Sequence, residues 1–386
     1  MQTILPLPDF CPALPAALLA AAFLFGLSVM VTWAQPPAAR RHTRVDIVGE
    51  AFHINGRPTF EGRQWKACKI EGLLPNARMV QGIFDDLNPE TRSRWAYPDT
   101  ATWDADRNTS EFVHAMADWR DHGLLAFTIN LQGGSPEGYS ENQPWHNSAF
   151  DADGSLRDDY MARLAQIIDR ADELGMAVIL GYFYFGQDER LRDADAVTAG
   201  VRNATRWVLE HGYTNVIIEL NGECDLSAYE HEILRAERVH ELIRMVRETQ
   251  HNGRRLLAGT SFSGGRLPTA NVVEASDFIL LHGNGVSDPN RIAEMVRASR
   301  EMALKAHAKA IPILFNEDDH YDFDKERNNF AAAVQEYASW GFFDFRRAGE
   351  GYEQGYQSVP VDWRISSPRK KAFFGLLAEI TGQKAR

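Results

Sequence analysis

The sequence predicts an α/β chain folded as one (β/α)8 TIM barrel, with an N-terminal β-hairpin and long loops at the C-terminal face. Three observations carry this. From residue 79 onward, short apolar runs of strand length alternate with amphipathic helical stretches, eight times over. Strands 2 to 7 are apolar without polar alternation, as parallel strands covered on both faces should be. No Gly-rich turn follows strand 1, where Gln81-Gly82-Ile83-Phe84-Asp85-Asp86 stands, which disfavours an open doubly wound sheet.

Three regions follow: a leader at 1–34, a linker and hairpin at 35–78, and the barrel at 79–386. Residues 12–34 are apolar and rich in Ala and Leu, and Thr32-Trp33-Ala34 precedes an expected signal-peptidase cut at Gln35. Residues 1–10 carry a single charge, Asp9, so the basic start of a signal peptide is missing. The run is also long enough for an uncleaved membrane anchor. Either reading expects export, to a secreted or periplasmic location. In the hairpin, 52–54 and 58–60 flank Asn55-Gly56, a turn pair that tolerates positive φ.

In the barrel, strand 1 is expected at 79–84 and the first helix at 108–122, with Phe112, Met116 and Trp119 on one face and Gly123 behind. Strand 2 is placed at 124–131 and a long loop at 132–153. The helix at 158–174 keeps Tyr160, Leu164, Ile167, Ala171 and Leu174 in register before Gly175. Strand 3 (177–184), a helix (195–210), strand 4 (215–220) and a long helix (227–249) follow. Then come strand 5 (256–259), a short helix (268–275), strand 6 (278–282) and a helix (289–304). Strand 7 (311–315), a helix (328–340) and strand 8 (342–345) complete the alternation. Ser367-Pro368 is an N-cap with Pro at the first helical position, opening a last helix to 380. The span exceeds the ~250 residues usual for such barrels, and the excess sits in the loops after strands 1, 2 and 8.

With 386 residues, 44% hydrophobic and 24% charged, the chain can bury a sizeable core. A net charge of −12 argues against nucleic acid or an anionic membrane surface as partner. Of three cysteines, Cys11 would leave with the leader. Cys68 and Cys224 would form one disulfide or stay as two thiols. No Cys or His spacing suggests zinc.

The chemistry gathers at two strand ends. Ile-Ile-Glu-Leu-Asn-Gly-Glu puts Glu223 just past strand 4, and Ile-Leu-Phe-Asn-Glu puts Glu317 just past strand 7. The 94 residues between them (317 − 223) span three β/α units. Barrel active sites lie at the C-terminal strand ends, and strands 4 and 7 face each other across the mouth. Two converging carboxylates are the parts of a retaining glycosidase.

This arrangement resembles clan A of the glycoside hydrolases, cellulase-like retaining enzymes on a (β/α)8 barrel. The resemblance implies Glu223 as acid/base and Glu317 as nucleophile, a carbohydrate substrate, and no metal or organic cofactor. The clan usually carries Asn directly before the acid/base, whereas here Gly222 intervenes and Asn221 stands one further back; Glu219, inside the strand, is the rival acid. The clan often has Arg near the end of strand 2, where this chain has Asn130 and Gln132, and Tyr or His after strand 6, where it has His282. Asn316 precedes the second carboxylate.

Loop aromatics are abundant: Trp95, Tyr97, Trp103, Trp145, Tyr182, Tyr184, Tyr352, Tyr356 and Trp363. Rings of this kind stack on sugar C–H faces or anchor loops by packing; Tyr182, Trp145 and Trp363 are taken here as the substrate-stacking set. Asp85-Asp86 are candidates for sugar hydroxyls or for solvated loop acids. Two alternatives stand beside the glycosidase: a non-catalytic carbohydrate-binding barrel, and a metal-dependent hydrolase holding Ca²⁺ or Mg²⁺ on Glu317-Asp318-Asp319-His320.

Overall fold

The computed structural model describes residues 41–140 and 142–383. The leader or anchor expected at 1–34 and Cys11 lie outside the described residues. Among the described residues, no helix is long and apolar enough to cross a membrane.

Eight parallel strands form the barrel: strand 1 Asn76–Arg78, strand 2 Ala126–Asn130, strand 3 Ala177–Phe183, strand 4 Val216–Asn221, strand 5 Leu257–Gly259, strand 6 Ile279–His282, strand 7 Ile313–Glu317 and strand 8 Gly341–Phe343. A continuous ladder runs 5-4-3-2-1-8, and strands 6 and 7 pair separately. Two contacts join the pieces. The Asp277 N–H donates to the Ala258 carbonyl at 2.9 Å, tying strand 5 to the start of strand 6. Ser339, just before strand 8, exchanges backbone bonds with Ile313 and Phe315 of strand 7 at 3.0 and 2.9 Å. Strands 2, 3, 4, 6 and 7 are buried at every position, which is why their sequences show no polar alternation.

The helices are α1 Ala105–Asp121, α2 Asp158–Leu174, α3 Ala194–Glu210, α4 Val239–Glu248, α5 Ala270–Ala275, α6 Pro289–His307, α7 Asn329–Gln335 and α8 Pro368–Thr381. Side-chain caps set the starts of α1, α3 and α8: Asp104 accepts from Arg107 N, Asp193 from Ala196 N and Ser367 from Lys370 N. Gly175 ends α2 in the left-handed conformation. A large apolar cluster between strands and helices holds Phe112, Met116, Trp119, Ile167, Val197, Ile218 and Trp363 among others.

The hairpin sheet, Val45–Val48, Ala51–Ile54 and Arg57–Pro58, turns at Asn55-Gly56 with both residues at positive φ. It closes the barrel floor. Val45 and Phe52 pack with Leu74, Ile179, Ile217, Phe278, Leu280 and Leu314 in a second cluster. Cys68 and Cys224 are both free thiols.

Two elements differ from expectation. Strand 1 is Asn76–Arg78, and the expected strand at 79–84 is a turn. There the chain leaves the wall with Gly82 wedged between Ile129, Ile167 and Phe112, where a Cβ would come within 3.0 Å of each. The helix expected at 227–249 is regular only from Val239. Before it, the Asp188 carboxylate takes the Glu230 and His231 N–H groups and Arg235 donates to the Tyr229 carbonyl, so this stretch is held as a loop.

Candidate active site

Five strand ends bring polar side chains to the mouth of the barrel: Arg78, Asn130, Asn221, His282 and Glu317 each end their strand. Glu223 follows two residues after strand 4 in the left-handed region, φ 56°. That strained turn is pinned by the Ser261 hydroxyl, 3.1 Å from Glu223 N, and by the Tyr229 hydroxyl on the Gly222 carbonyl. Glycine at 222 has a steric reason. A Cβ there would lie 3.1 Å from Arg78 Nη2 and 3.6 Å from the Tyr184 ring.

The turn aims Glu223 at Glu317. One oxygen of each carboxylate and a ring nitrogen of His282 all lie within 4.8 Å of one another. His282 Nδ1 is 3.0 Å from Glu223 Oε1 and 3.7 Å from Glu317 Oε2. Arg78 Nε is 2.5 Å from Glu317 Oε2, and its Nη1 is 3.1 Å from Glu219 Oε2. Asn284 Nδ2 donates to the other oxygen of Glu317. Glu317 is thus held at both oxygens and its side chain is 8% exposed, whereas the Glu223 side chain is 17% exposed and, among the described residues, meets His282.

The charges are strongly coupled. Burial disfavours the His282 imidazolium, but Glu317, Glu219 and Glu223 outweigh it and raise its pKa from 6.5 to about 10. His282 is therefore charged at neutral pH. Burial also works against the Glu219 carboxylate, yet Arg78, His282 and the Ser261 hydroxyl hold it well below the usual carboxylate range. For Glu317 burial wins. Its pKa is raised despite Arg78 and His282, and the nearby Glu223 adds to the rise.

The other sequence-picked residues divide into three groups. Asn130 and Asn316 are buried amides with neither atom bonded to protein, beside the catalytic level of the barrel. Gln132 and Asn221 are committed to structure. Gln132 donates to Ser148 Oγ and the Gln187 carbonyl and accepts from Tyr184 N. Asn221 donates to the Leu234 carbonyl and accepts from Thr260. Tyr182, Trp145 and Trp363 are not on the cleft. Tyr182 is buried with its hydroxyl on Thr205. Trp145 is buried against Trp95. Trp363 is buried against Phe112 and Tyr356, with its Nε1–H on Asn108. These large rings gain more from burial than a mobile loop could offer, so they became core.

Arg78 and Asn284 are absent from the expected site, Tyr184 stands in it only among the loop aromatics, and Glu219 only as a rival acid. An arginine does reach the site, from the end of strand 1. Its signal was faint because Asn-Ala-Arg is too short to show a period. Asp85 and Asp86 anchor loop aromatics: Asp86 accepts from Trp95 Nε1 and Thr91, and Asp85 from Trp103 Nε1. The carboxylate of Asp318 is taken by Trp340 Nε1, Asn329 Nδ2 and His320. These donors occupy both oxygens of Asp318. At Glu223, His282 and Glu317 an added cation would face Arg78 and a charged imidazole.

No protein-family model matches this chain, and no curated protein matches its sequence. Solved structures do resemble it. A glycoside hydrolase family 5 protein from Bacteroides vulgatus aligns at 15% identity and TM-score 0.51, over 87% of this chain and 70% of that one. An endo-1,4-beta-mannanase from Rhizomucor miehei aligns at 11% identity and TM-score 0.53, over 88% of this chain and 100% of that one. A broad specificity endoglucanase from Bacteroides salanitronis aligns at 11% identity and TM-score 0.52, over 80% and 93%. At these identities the likeness establishes the shared barrel fold.

Proposed function

We propose that this chain is a retaining glycoside hydrolase, with Glu317 as nucleophile and Glu223 as acid/base, acting on a polysaccharide or oligosaccharide. The observation that carries this is the close approach of the two carboxylates at the barrel mouth, with oxygens within 4.8 Å. Double displacement uses carboxyl groups ~5–5.5 Å apart, while inversion leaves ~6.5–9.5 Å for a water. In the first step Glu317 Oε attacks the anomeric carbon and Glu223 gives its proton to the leaving oxygen. In the second, Glu223 takes a proton from water, which attacks the same carbon and releases Glu317. Arg78 and Asn284 steady the Glu317 carboxylate for attack, and the more open Glu223 meets both leaving group and water. The buried free amides of Asn130 and Asn316 suit sugar hydroxyls. Neighbours of the same fold include a mannanase and an endoglucanase, so β-linked hexose polymers come first among substrates to assay. The apolar leader at 1–34 is proposed to direct export, with a mature start near Gln35.

The test is covalent trapping. An activated 2-deoxy-2-fluoro glycoside should add one sugar mass, and the modified peptide should carry it on Glu317. A label on another residue, or none from any sugar that the protein hydrolyses, would overturn the assignment. Sugar binding without hydrolysis across a substrate panel would leave the carbohydrate-binding reading instead.

A further inference from the structure

Glu219 is a third carboxylate at the site, four residues before Glu223 and fully buried within strand 4. Its register partners on both sides are glycines, Gly181 of strand 3 and Gly259 of strand 5.

Three connections run outward from this one group. Its Oε2 takes Arg78 Nη1 at 3.1 Å, and the same guanidinium reaches Glu317 through Nε at 2.5 Å. Its Oε1 takes the Ser261 hydroxyl at 2.6 Å, and the same Ser261 oxygen accepts the Glu223 N–H at 3.1 Å. The same Oε1 lies 3.8 Å from His282 Nε2, whose Nδ1 meets Glu223 Oε1 at 3.0 Å. Arg78, Ser261 and His282 therefore each touch both Glu219 and one of the pair Glu223 and Glu317.

We propose that Glu219 is a positioning residue for the reaction: through Arg78, Ser261 and His282 it fixes the geometry and protonation of the Glu223–Glu317 pair without touching substrate. This deepens the glycosidase reading and rests on it. The charge count gives the reason. Arg78 and a charged His282 contribute two positive charges, and Glu219, Glu223 and Glu317 contribute three negative ones when ionised. The cluster is neutral when one proton is shared in the carboxylate pair. One carboxyl protonated and one ionised is the state from which double displacement starts. Without the charge on Glu219 that state would be cationic, and a proton would leave His282 or the pair at lower pH.

The test compares Glu219→Gln and Glu219→Asp with wild type. The groups facing position 219 are Arg78, His282 and Ser261, behind which stand Glu317 and Glu223, and Cys224. The histidine ring is the readout, followed by NMR with labelled imidazole. In Glu219→Gln the His282 titration should fall by at least about one unit, as expected on losing an opposite charge within ~4–6 Å. The basic limb of kcat/KM should move down with it. In addition kcat should drop at least tenfold, with KM within about twofold. Glu219→Asp, which keeps the charge, should restore the His282 titration and part of kcat. If Glu219→Gln does not fold, Ser261→Ala takes its place. That variant cuts the hydroxyl bridge while keeping the Glu219 charge, and at a temperature where it stays folded it should lower kcat severalfold with KM within about twofold. A folded Glu219→Gln with wild-type His282 titration and kcat, or a Ser261→Ala with wild-type kcat, overturns the proposal. If wild type hydrolyses no glycoside, the functional reading fails, while the histidine titration still decides whether Glu219 sets the charge of the cluster.

Discussion

Arg78, the last residue of strand 1, lies 2.5 Å from Glu317, the last residue of strand 7, and its other arm holds Glu219 of strand 4. Three strands separated along the chain are thus tied together at the mouth by one guanidinium that is 1% exposed. Such a fork cannot be replaced by a point charge on a flexible stem. Arg78→Gln should cost about 3–5 kcal/mol of stability, because it leaves buried carboxylates without a counter-charge. Arg78→Lys should fold better and still lose at least about a hundredfold in kcat, in the range seen when one preorganised donor is removed from an active site. Denaturant unfolding and steady-state kinetics on both variants check this.

His282 makes stability depend on pH. Its folded pKa of about 10 lies above the unfolded 6.5, with burial opposing the rise and Glu317, Glu219 and Glu223 driving it. The sign follows from proton binding: the folded state holds the extra proton between these values. Stability from this group is complete below about 6.5 and is lost as pH rises towards 10. Lys370 acts oppositely, since burial depresses it from 10.5 to about 7 against the pull of Asp344 and Asp362. A single melting curve would mix the two. The expected result is that the melting-temperature difference between wild type and His282→Asn shrinks steadily from pH 7 to 10.

Trp363 should matter for folding and not for substrate. Its ring lies 4.8 Å from Phe112 and stacks on Tyr356, and its N–H is bound by Asn108. Trp363→Ala should cost about 3–5 kcal/mol, as large-to-small core changes do. KM measured at a temperature where the variant stays folded should equal that of wild type. A raised KM with unchanged stability would place Trp363 back on the cleft.

What was legible in the sequence is what short-range pattern encodes. Strands 2 to 7 announced themselves because burial on both faces demands unbroken apolar runs, and Ser367 and Gly175 marked helix ends through local caps. The pair Glu223 and Glu317 followed from counting strands. Strand 1 was not legible, because Asn76–Arg78 is a strand by virtue of its neighbours: Ala126 to Thr128 on one side and Gly341 to Phe343 on the other. Nor was the break before α4 legible, since Asp188, which holds that loop, lies far back in the chain. The aromatic residues failed as site markers for a related reason. Whether Trp145 packs or projects is set by Trp95 and Asp86 in another loop, and no spacing records that.

The roles of the two carboxylates can be separated by chemistry. Glu317 is gripped by Arg78 and Asn284 at both oxygens, as an attacking anion should be, while Glu223 is the more open and meets His282. Glu317→Ala removes the atom that forms the covalent intermediate, so turnover should fall by orders of magnitude on every substrate. Glu223→Ala removes the proton donor, which matters most for poor leaving groups. It should still form the glycosyl-enzyme from dinitrophenyl glycosides and then stall, because no base activates water. Added azide should restore its second step and give a glycosyl azide of retained configuration, since a small anion needs no base. Both variants are assayed with and without azide on activated and unactivated substrates, with product configuration read by NMR. Azide rescue of Glu317→Ala with retention, and of Glu223→Ala with inversion, would mean that the roles are exchanged. Wild-type activity in both variants would move the reaction away from this pair altogether.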